Sequence, residues 1–226
     1  MRTGIIAALR SEARTLDRLR GTMTGGSSCV VTVSGPGQAN AARAANQLMD
    51  DGCDQLMYWG IAGGLSDMLA VGDLVLAKHV CGIGESSIAC DPDWLNGLGK
   101  ALAQLNPSVG DLVTRPTPVC TAEDKRQLHA QTGALAVDME SYAAALVAHA
   151  RACPFVALRA ISDAWQDELP GAVLNGVRDD GSNNPGAVAL ALIKHPWQIG
   201  AVIRTGHRYR QALASLTAAA TILGND

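Results

Sequence analysis

Short apolar runs alternate with longer amphipathic or alanine-rich stretches along most of this chain. The runs at 3–9, 28–34, 55–60, 73–81 and 155–160 have strand-like length and few charges, which predicts strands covered on both faces. The stretches at 11–20, 38–50, 93–105, 122–132 and 139–151 read as helices between and after them. This order predicts an α/β fold: a single domain over 1–226 with a mixed, largely parallel sheet flanked by helices. Segment 165–187, "WQDELPGAVLNGVRDDGSNNPGA", is rich in Gly, Asn, Asp and Pro and reads as a long surface loop. A C-terminal helix is expected at 197–223.

Composition narrows the field. A chain of 226 residues with 48% hydrophobic content can bury a substantial core. Its net charge of -3, without a cluster of Lys and Arg, argues against nucleic acid as a partner. The six cysteines never form a C-x-x-C pair and mostly sit in apolar runs, as buried thiols of a reducing compartment would. The N-terminal stretch lacks the h-region of a signal peptide, and no apolar run reaches the roughly 18 residues of a membrane span. A cytoplasmic protein is therefore expected. The five histidines are scattered without metal-ligand or Ser-His spacing, so no metal and no cofactor is assigned.

In such a sheet ligands bind beyond the carboxyl ends of the strands. Those ends carry Glu12, the "SGPGQAN" turn with Gly35 and Gly37, the "GIAGGL" segment with Ala62 and Gly63, and the "ISDAW" segment with Ser162 and Asp163. The glycine turns can hold a ligand against the backbone, or be plain turns. Glu12 can be a helix N-terminal charge, and Asp163 beside Ser162 a helix cap. Four charges bound the apolar unit 136–165: Asp138 and Glu140 at its entrance, Arg159 and Asp163 at its exit. Ordinary packing asks for none of them.

"GIIAALRSEA", "GIAGGL" with "VGDLVLAKHV", "AVDMESYAAA" and "FVALRAISDAW" together resemble the nucleoside phosphorylase and nucleosidase superfamily, particularly the methylthioadenosine/S-adenosylhomocysteine nucleosidases. The resemblance implies roles. Glu12 matches the carboxylate that activates the attacking water, and Asp163 the acid at purine N7, with Ser162 and Arg159 supporting it. Met139 and Glu140 match the ribose-binding pair, and Ala62 and Gly63 line the substrate. Such chemistry suits N-glycosidic cleavage, in which positive charge grows on the ribose and negative charge on the base.

The phosphorylases of this superfamily carry an Arg where this chain has Tyr58, and a hydroxyl-bearing residue where it has Ile61. Hydrolysis is therefore expected, with phosphorolysis as the alternative and Arg43 or Gly35–Gly37 as residual anion contacts. The segment "RDDGSNNPGAVALALIKHPWQIGAVIRTGHRYRQALASL" resembles the hopanoid-biosynthesis-associated phosphorylases, also called adenosylhopane nucleosidases. That implies release of adenine from adenosylhopane, leaving ribosylhopane, with an apolar channel drawn from Trp94, Trp165, Trp197 and 173–174. It also implies a homodimer that touches a membrane transiently through loop 167–184 and the Trp197 helix, nearly indifferent to anionic lipid. Methylthioadenosine, futalosine-like nucleosides and ordinary purine nucleosides are rival substrates, and a non-catalytic nucleoside-binding module is the rival outside enzymes.

Overall fold

A computed structural model of the chain describes residues 1–17, 19, 28–174, 176, 178, 180–182 and 184–225, with backbone alone at 173, 174 and 225. Its elements run in the order β1 (Arg2–Ala7), α1 (Arg10–Arg14), β2 (Ser28–Val33), α2 (Gln38–Asp50), β3 (Gln55–Gly64), β4 (Leu74–Gly82), β5 (Ile88–Ala89) and α3 (Pro92–Ala101). Then come β6 (Ser108–Thr114), α4 (Ala122–Thr132), β7 (Ala136–Asp138), α5 (Ser141–Ala150), β8 (Phe155–Asp163), α6 (Gly171–Leu174), α7 (Pro185–Lys194) and α8 (Ile199–Asn225).

All eight strands join one sheet. Parallel pairing links β1 to β2 and β3, β3 to β8, and β6 to β4 and β7. The antiparallel pairs are β3 with β7, β4 with β5, and β4 with β8. Strands β3, β7, β6, β4 and β8 thereby close a ring, and β1 and β2 extend it as an open wing. Strand β3 belongs to both parts: its first half, Gln55–Tyr58, pairs with β1, while Gly63 and Gly64 pair with β7. A strand that changes neighbours midway leaves a crevice at the change, the position where open α/β sheets bind ligands.

Side-chain alternation along these strands divides the core into two layers. Ile6, Leu56 and Tyr58 point to the side covered by α2 and α5, where Ala41, Ala45, Ala144, Ala145 and Ala148 let both helices approach closely. Ile5, Met57 and Trp59 point to the other side, against Leu98 of α3 and Ala212, Leu216, Ala219 and Leu223 of α8. The Trp59 indole donates to Thr15 Oγ1 at 2.9 Å, which seats α1 beside β3.

Several elements differ from the sequence expectation. Strand β3 continues four residues past 60, because Gly60, Gly63 and Gly64 stay extended and leave room for neighbouring side chains. Strands β5, β6 and β7 were not anticipated. Gly110 and Asp111 interrupt the apolar run of β6, and β5 and β7 have only two and three residues. Helix α1 ends at Arg14, and residues 18 and 20 of the expected helix lie outside the described residues. The long loop contains α6, and α7 opens at Pro185 with Asn184 capping the amide of Ala187 at 3.4 Å. The final helix begins at Ile199 after a 3₁₀ turn at Pro196–Gln198.

Candidate active site

Strand β1 is followed by only two residues before α1, so Glu12 falls in the first turn of a helix at the crevice. Its carboxylate turns inward. One oxygen accepts from the Leu9 amide at 2.8 Å and the other from the Ile61 amide of β3 at 2.9 Å. Burial pushes this carboxyl above its ordinary value, against the pull of the Arg159 guanidinium and of the Ile61, Leu9 and Ala8 amides.

Gly60 shows how tightly the centre is packed. A Cβ there would fall 2.5 Å from Glu12 Oε1 and 2.7 Å from Arg159 Nη1. Arg159 is paired with Gly60 in the β3–β8 register, and its guanidinium lies 4.5 Å from the Tyr58 ring centroid. It donates to Asp138 and, at 2.6 Å, to Ser141 Oγ. Asp138 ends β7 and also accepts from Thr114 Oγ1 at 2.6 Å and from the Ser141 hydroxyl. Burial opposes the charge on Arg159, but Asp138, Tyr58, Glu12 and Glu140 together hold its pKa above the ordinary value.

Glu140 sits just before α5 and accepts from the Gly37 amide at 2.9 Å. The "SGPG" turn thus meets the "DME" turn, and Gly37, at φ 95°, adopts a conformation that suits glycine. Burial first, and Asp138 next, push Glu140 up to about 7, with Glu12 adding to the rise. Met139 donates its amide to Glu140 Oε2 at 3.3 Å. Three carboxylates therefore surround one guanidinium, and burial disfavours the second negative charge that full ionisation would leave. Glu140, held up to about 7, is the member of the cluster that takes a proton near neutral pH.

Asp163, at the end of β8, has different partners. One carboxylate oxygen pairs with Lys125 Nζ, and the other lies 2.6 Å from Ser162 Oγ. Lys125, on the first turn of α4, is wholly buried and also donates to the carbonyls of Ala164 at 2.8 Å and Asp167 at 3.0 Å. All three ammonium protons are thus used. Ala62 O lies 3.2 Å from Ser162 Oγ, and a Cβ on Gly63 would stand 3.2 Å from Asp163 Oδ2.

The structure thus gathers Glu12, Met139, Glu140 and Arg159 at one end and Ala62, Gly63, Ser162 and Asp163 at the other. The ends are three residues apart along β3, roughly 10 Å by strand rise. Arg159 corrects one expectation: its hydrogen bonds go to Asp138 and Ser141 rather than to Asp163, because it lies four residues earlier on the strand. Asp138 and Lys125 had no assigned role in the sequence reading. Lys125 stands within the charged run "AEDKRQ", which looks solvated. Its signal was helical phase, since Lys125 and Leu128 share the buried face of α4.

A cleft of about 730 Å³ opens on the outer face of α1, lined by Arg10, Arg14, Asp17, Arg43, Ser34 and Asp180 among others. It is polar and cationic. One lining residue, Ser34, has its hydroxyl 3.5 Å from Tyr58 Oη. Of the expected channel residues, Trp197 is exposed and Trp94 and Trp165 are half-buried, and the side chains of 173 and 174 lie outside the described residues. Among the described residues no three His, Cys, Asp or Glu side chains gather as a metal site.

Comparison with known proteins places this geometry. The family described as "Phosphorylase superfamily" matches residues 8–194. A 5'-methylthioadenosine/S-adenosylhomocysteine nucleosidase of Shewanella baltica is 28% identical over 210 residues, covering 75% of this chain and 87% of that protein. The Staphylococcus epidermidis nucleosidase of the same name is 28% identical over 154 residues, covering 59% and 68%. Among solved structures, the Neisseria meningitidis 5'-methylthioadenosine/S-adenosylhomocysteine nucleosidase in complex with methylthio-immucillin-A superposes with a TM-score of 0.74 at 20% identity, covering 100% of this chain and 99% of that one. The futalosine hydrolase of Helicobacter pylori gives 0.73 at 18% identity, covering 100% and 97%.

Proposed function

The chain belongs to the phosphorylase superfamily, and from that premise we propose that it is a purine nucleosidase, cleaving the N-glycosidic bond with water. One observation carries the reading: Glu12 is buried and held by two amides, at the end of the cluster that bears excess negative charge.

The two ends of the crevice differ in charge, and the reaction uses the difference. Glu12, Asp138 and Glu140 around one Arg159 favour positive charge, the charge that a ribosyl group acquires as its bond to the base lengthens. At the other end Asp163 is backed by the Lys125 ammonium, which favours negative charge on the departing base. Water adds its oxygen to C1′ and gives its proton to Glu12. The N9–C1′ electron pair leaves with the purine, and Asp163, which takes up a proton from water as substrate binds, passes it to N7, while Glu12 later returns its proton to water. Lys125 positions Asp163 and stabilises the carboxylate formed by that transfer. Glu140, held by Gly37, is placed for the ribose hydroxyls, with Met139 beside it.

For the substrate we propose adenosylhopane, with adenine and ribosylhopane as products. The support is the resemblance of 178–216 to the hopanoid-associated proteins, together with the exposed apolar surface of the same region. The resemblance also supports a homodimer working in the cytoplasm. Methylthioadenosine cleavage fits the same site, and adenine release from the two nucleosides separates the alternatives.

Phosphorolysis has one observation in its favour: Arg10, Arg14 and Arg43 line a cleft on the outer face of α1, the helix that carries Glu12. Assay in phosphate-free buffer decides. Hydrolysis predicts adenine and free ribosyl product at equal rates with and without phosphate. Strict dependence on phosphate, with a 1-phosphorylated sugar as product, overturns it.

A further inference from the structure

Helix α7 has the sequence PGAVALALIK, yet none of its residues is buried. The same holds for every described residue from 182 to 211. Leu190, Ile193, Trp197, Ile199 and Ile203 stand exposed within this arm, Ile193 at 77% and Trp197 at 74%. Leu190 and Ile193 are spaced i,i+3 on α7, and Ile199 and Ile203 i,i+4 on α8, so each pair shares one helix face. Apolar surface concentrated in this way marks a surface made to be covered.

Charge identifies the cover. Between residues 185 and 225 the chain holds Lys194, Arg204, Arg208 and Arg210 and no Asp or Glu, although its net charge is -3. Exposed aliphatic residues, a tryptophan packed edge-on against His195 with ring centroids 5.0 Å apart, and a cationic span without acidic residues of its own are the chemistry of an interfacial helix. Two copies of the arm paired about a twofold axis would bring like charges together. No described helix is long and apolar enough to cross a membrane.

We infer that the 185–207 arm docks the protein on an anionic bilayer surface, its aliphatic residues and Trp197 entering the headgroup boundary and Lys194 and Arg204 facing the lipid phosphates. This deepens the proposed function, since a lipid-tailed nucleoside is presented at that surface. It differs from the expectation of indifference to anionic lipid, because the acid-free span gives the cations no internal counter-charge to match. The arm is also tied to the site where it ends. Arg208 pairs with Asp167 at 2.6 Å, and the Tyr209 hydroxyl bonds Ser11, the neighbour of Glu12.

The test is co-sedimentation of the full chain with vesicles of phosphatidylcholine alone and of phosphatidylcholine mixed with phosphatidylglycerol, alongside the variant Ile193→Glu/Ile203→Glu. Wild type should partition onto the mixed vesicles more than onto the neutral ones, and less as salt is raised. The variant should lose at least about tenfold in partitioning. Its adenine release from soluble methylthioadenosine should stay within about twofold of wild type. Absence of wild-type binding to either vesicle, or equal binding by the variant, overturns the proposal. So does a wild-type dimer that the variant abolishes, because the arm is then covered by a second copy. If vesicles are bound as expected but no purine nucleoside releases adenine, docking stands and the nucleosidase reading falls.

Discussion

Lys125 and Asp163 form a buried ion pair, and α4 carries the lysine there from 38 residues earlier in the chain. A buried pair of this kind contributes little net stability when intact, but removing one partner strands the other charge. Lys125→Met should therefore lower stability by about 3–5 kcal/mol. Turnover should fall with it, because the carboxylate left by proton transfer loses its counter-ion. Denaturant unfolding and adenine release on the same sample check both. Normal turnover in a folded Lys125→Met protein would show that Asp163 needs no ammonium.

Asp163→Asn keeps an acceptor for Lys125 and removes the transferable proton. The expected loss in kcat is roughly 10²-fold or more. Melting should fall as well, because an amide carbonyl pairs less strongly than a carboxylate with a buried ammonium. Near-normal kcat would reduce Asp163 to a structural partner of Lys125 and Ser162.

The space above Gly60 is already occupied by Glu12 and Arg159. Gly60→Ala cannot be accommodated by moving the far end of a flexible chain, since both neighbours are held in hydrogen bonds or ion pairs. Overpacking of this sort costs about 1–3 kcal/mol. Displacing Glu12 should lower kcat/KM by about 10²-fold, because sub-ångström placement of the attacking water is lost. The corresponding change at exposed Gly97, which has open space around it, should leave both quantities near wild type.

Glu140 titrates at about 7 in the fold against an ordinary 4.5. A raised carboxyl favours the folded state in its protonated form. Its stabilising contribution is complete below pH about 4.5 and is lost as pH rises through about 7, amounting to about 3 kcal/mol. Glu12 shifts in the same direction. Denaturant midpoints should therefore decline between pH about 5 and about 8, and Glu140→Gln should flatten that decline. An unchanged slope in the variant would assign the titration to another group.

Much of this site could be read from the sequence, for a physical reason. Glu12, Glu140 and Asp163 each follow an apolar strand or open an apolar helix, where a carboxylate stands out against its surroundings. What could not be read depends on contacts between distant segments. Lys125 is one cation in a charged run until α4 turns it inward with Leu128. Sequence alone places Arg159 with Asp163 because β7 is too short to recognise, and the actual counter-ion, Asp138, ends that three-residue strand. The glycines of "GIAGGL" read equally as a platform for a ligand or as a bend. They are extended strand, kept open by the side chains above them.

The superfamily match stops at residue 194, while α8 runs from Ile199 to Asn225. That helix nevertheless supplies Ala212, Leu216, Ala219 and Leu223 to the core, Tyr209 to Ser11 and Arg208 to Asp167. The heritable unit is therefore longer than the recognisable one. A chimera that exchanged only the tail for a relative's would orphan Ser11 and Asp167, which stand one residue from Glu12 and four from Asp163. Any exchange of this helix has to carry Ser11 and Asp167 with it, so the tail and the two positions form one packing unit.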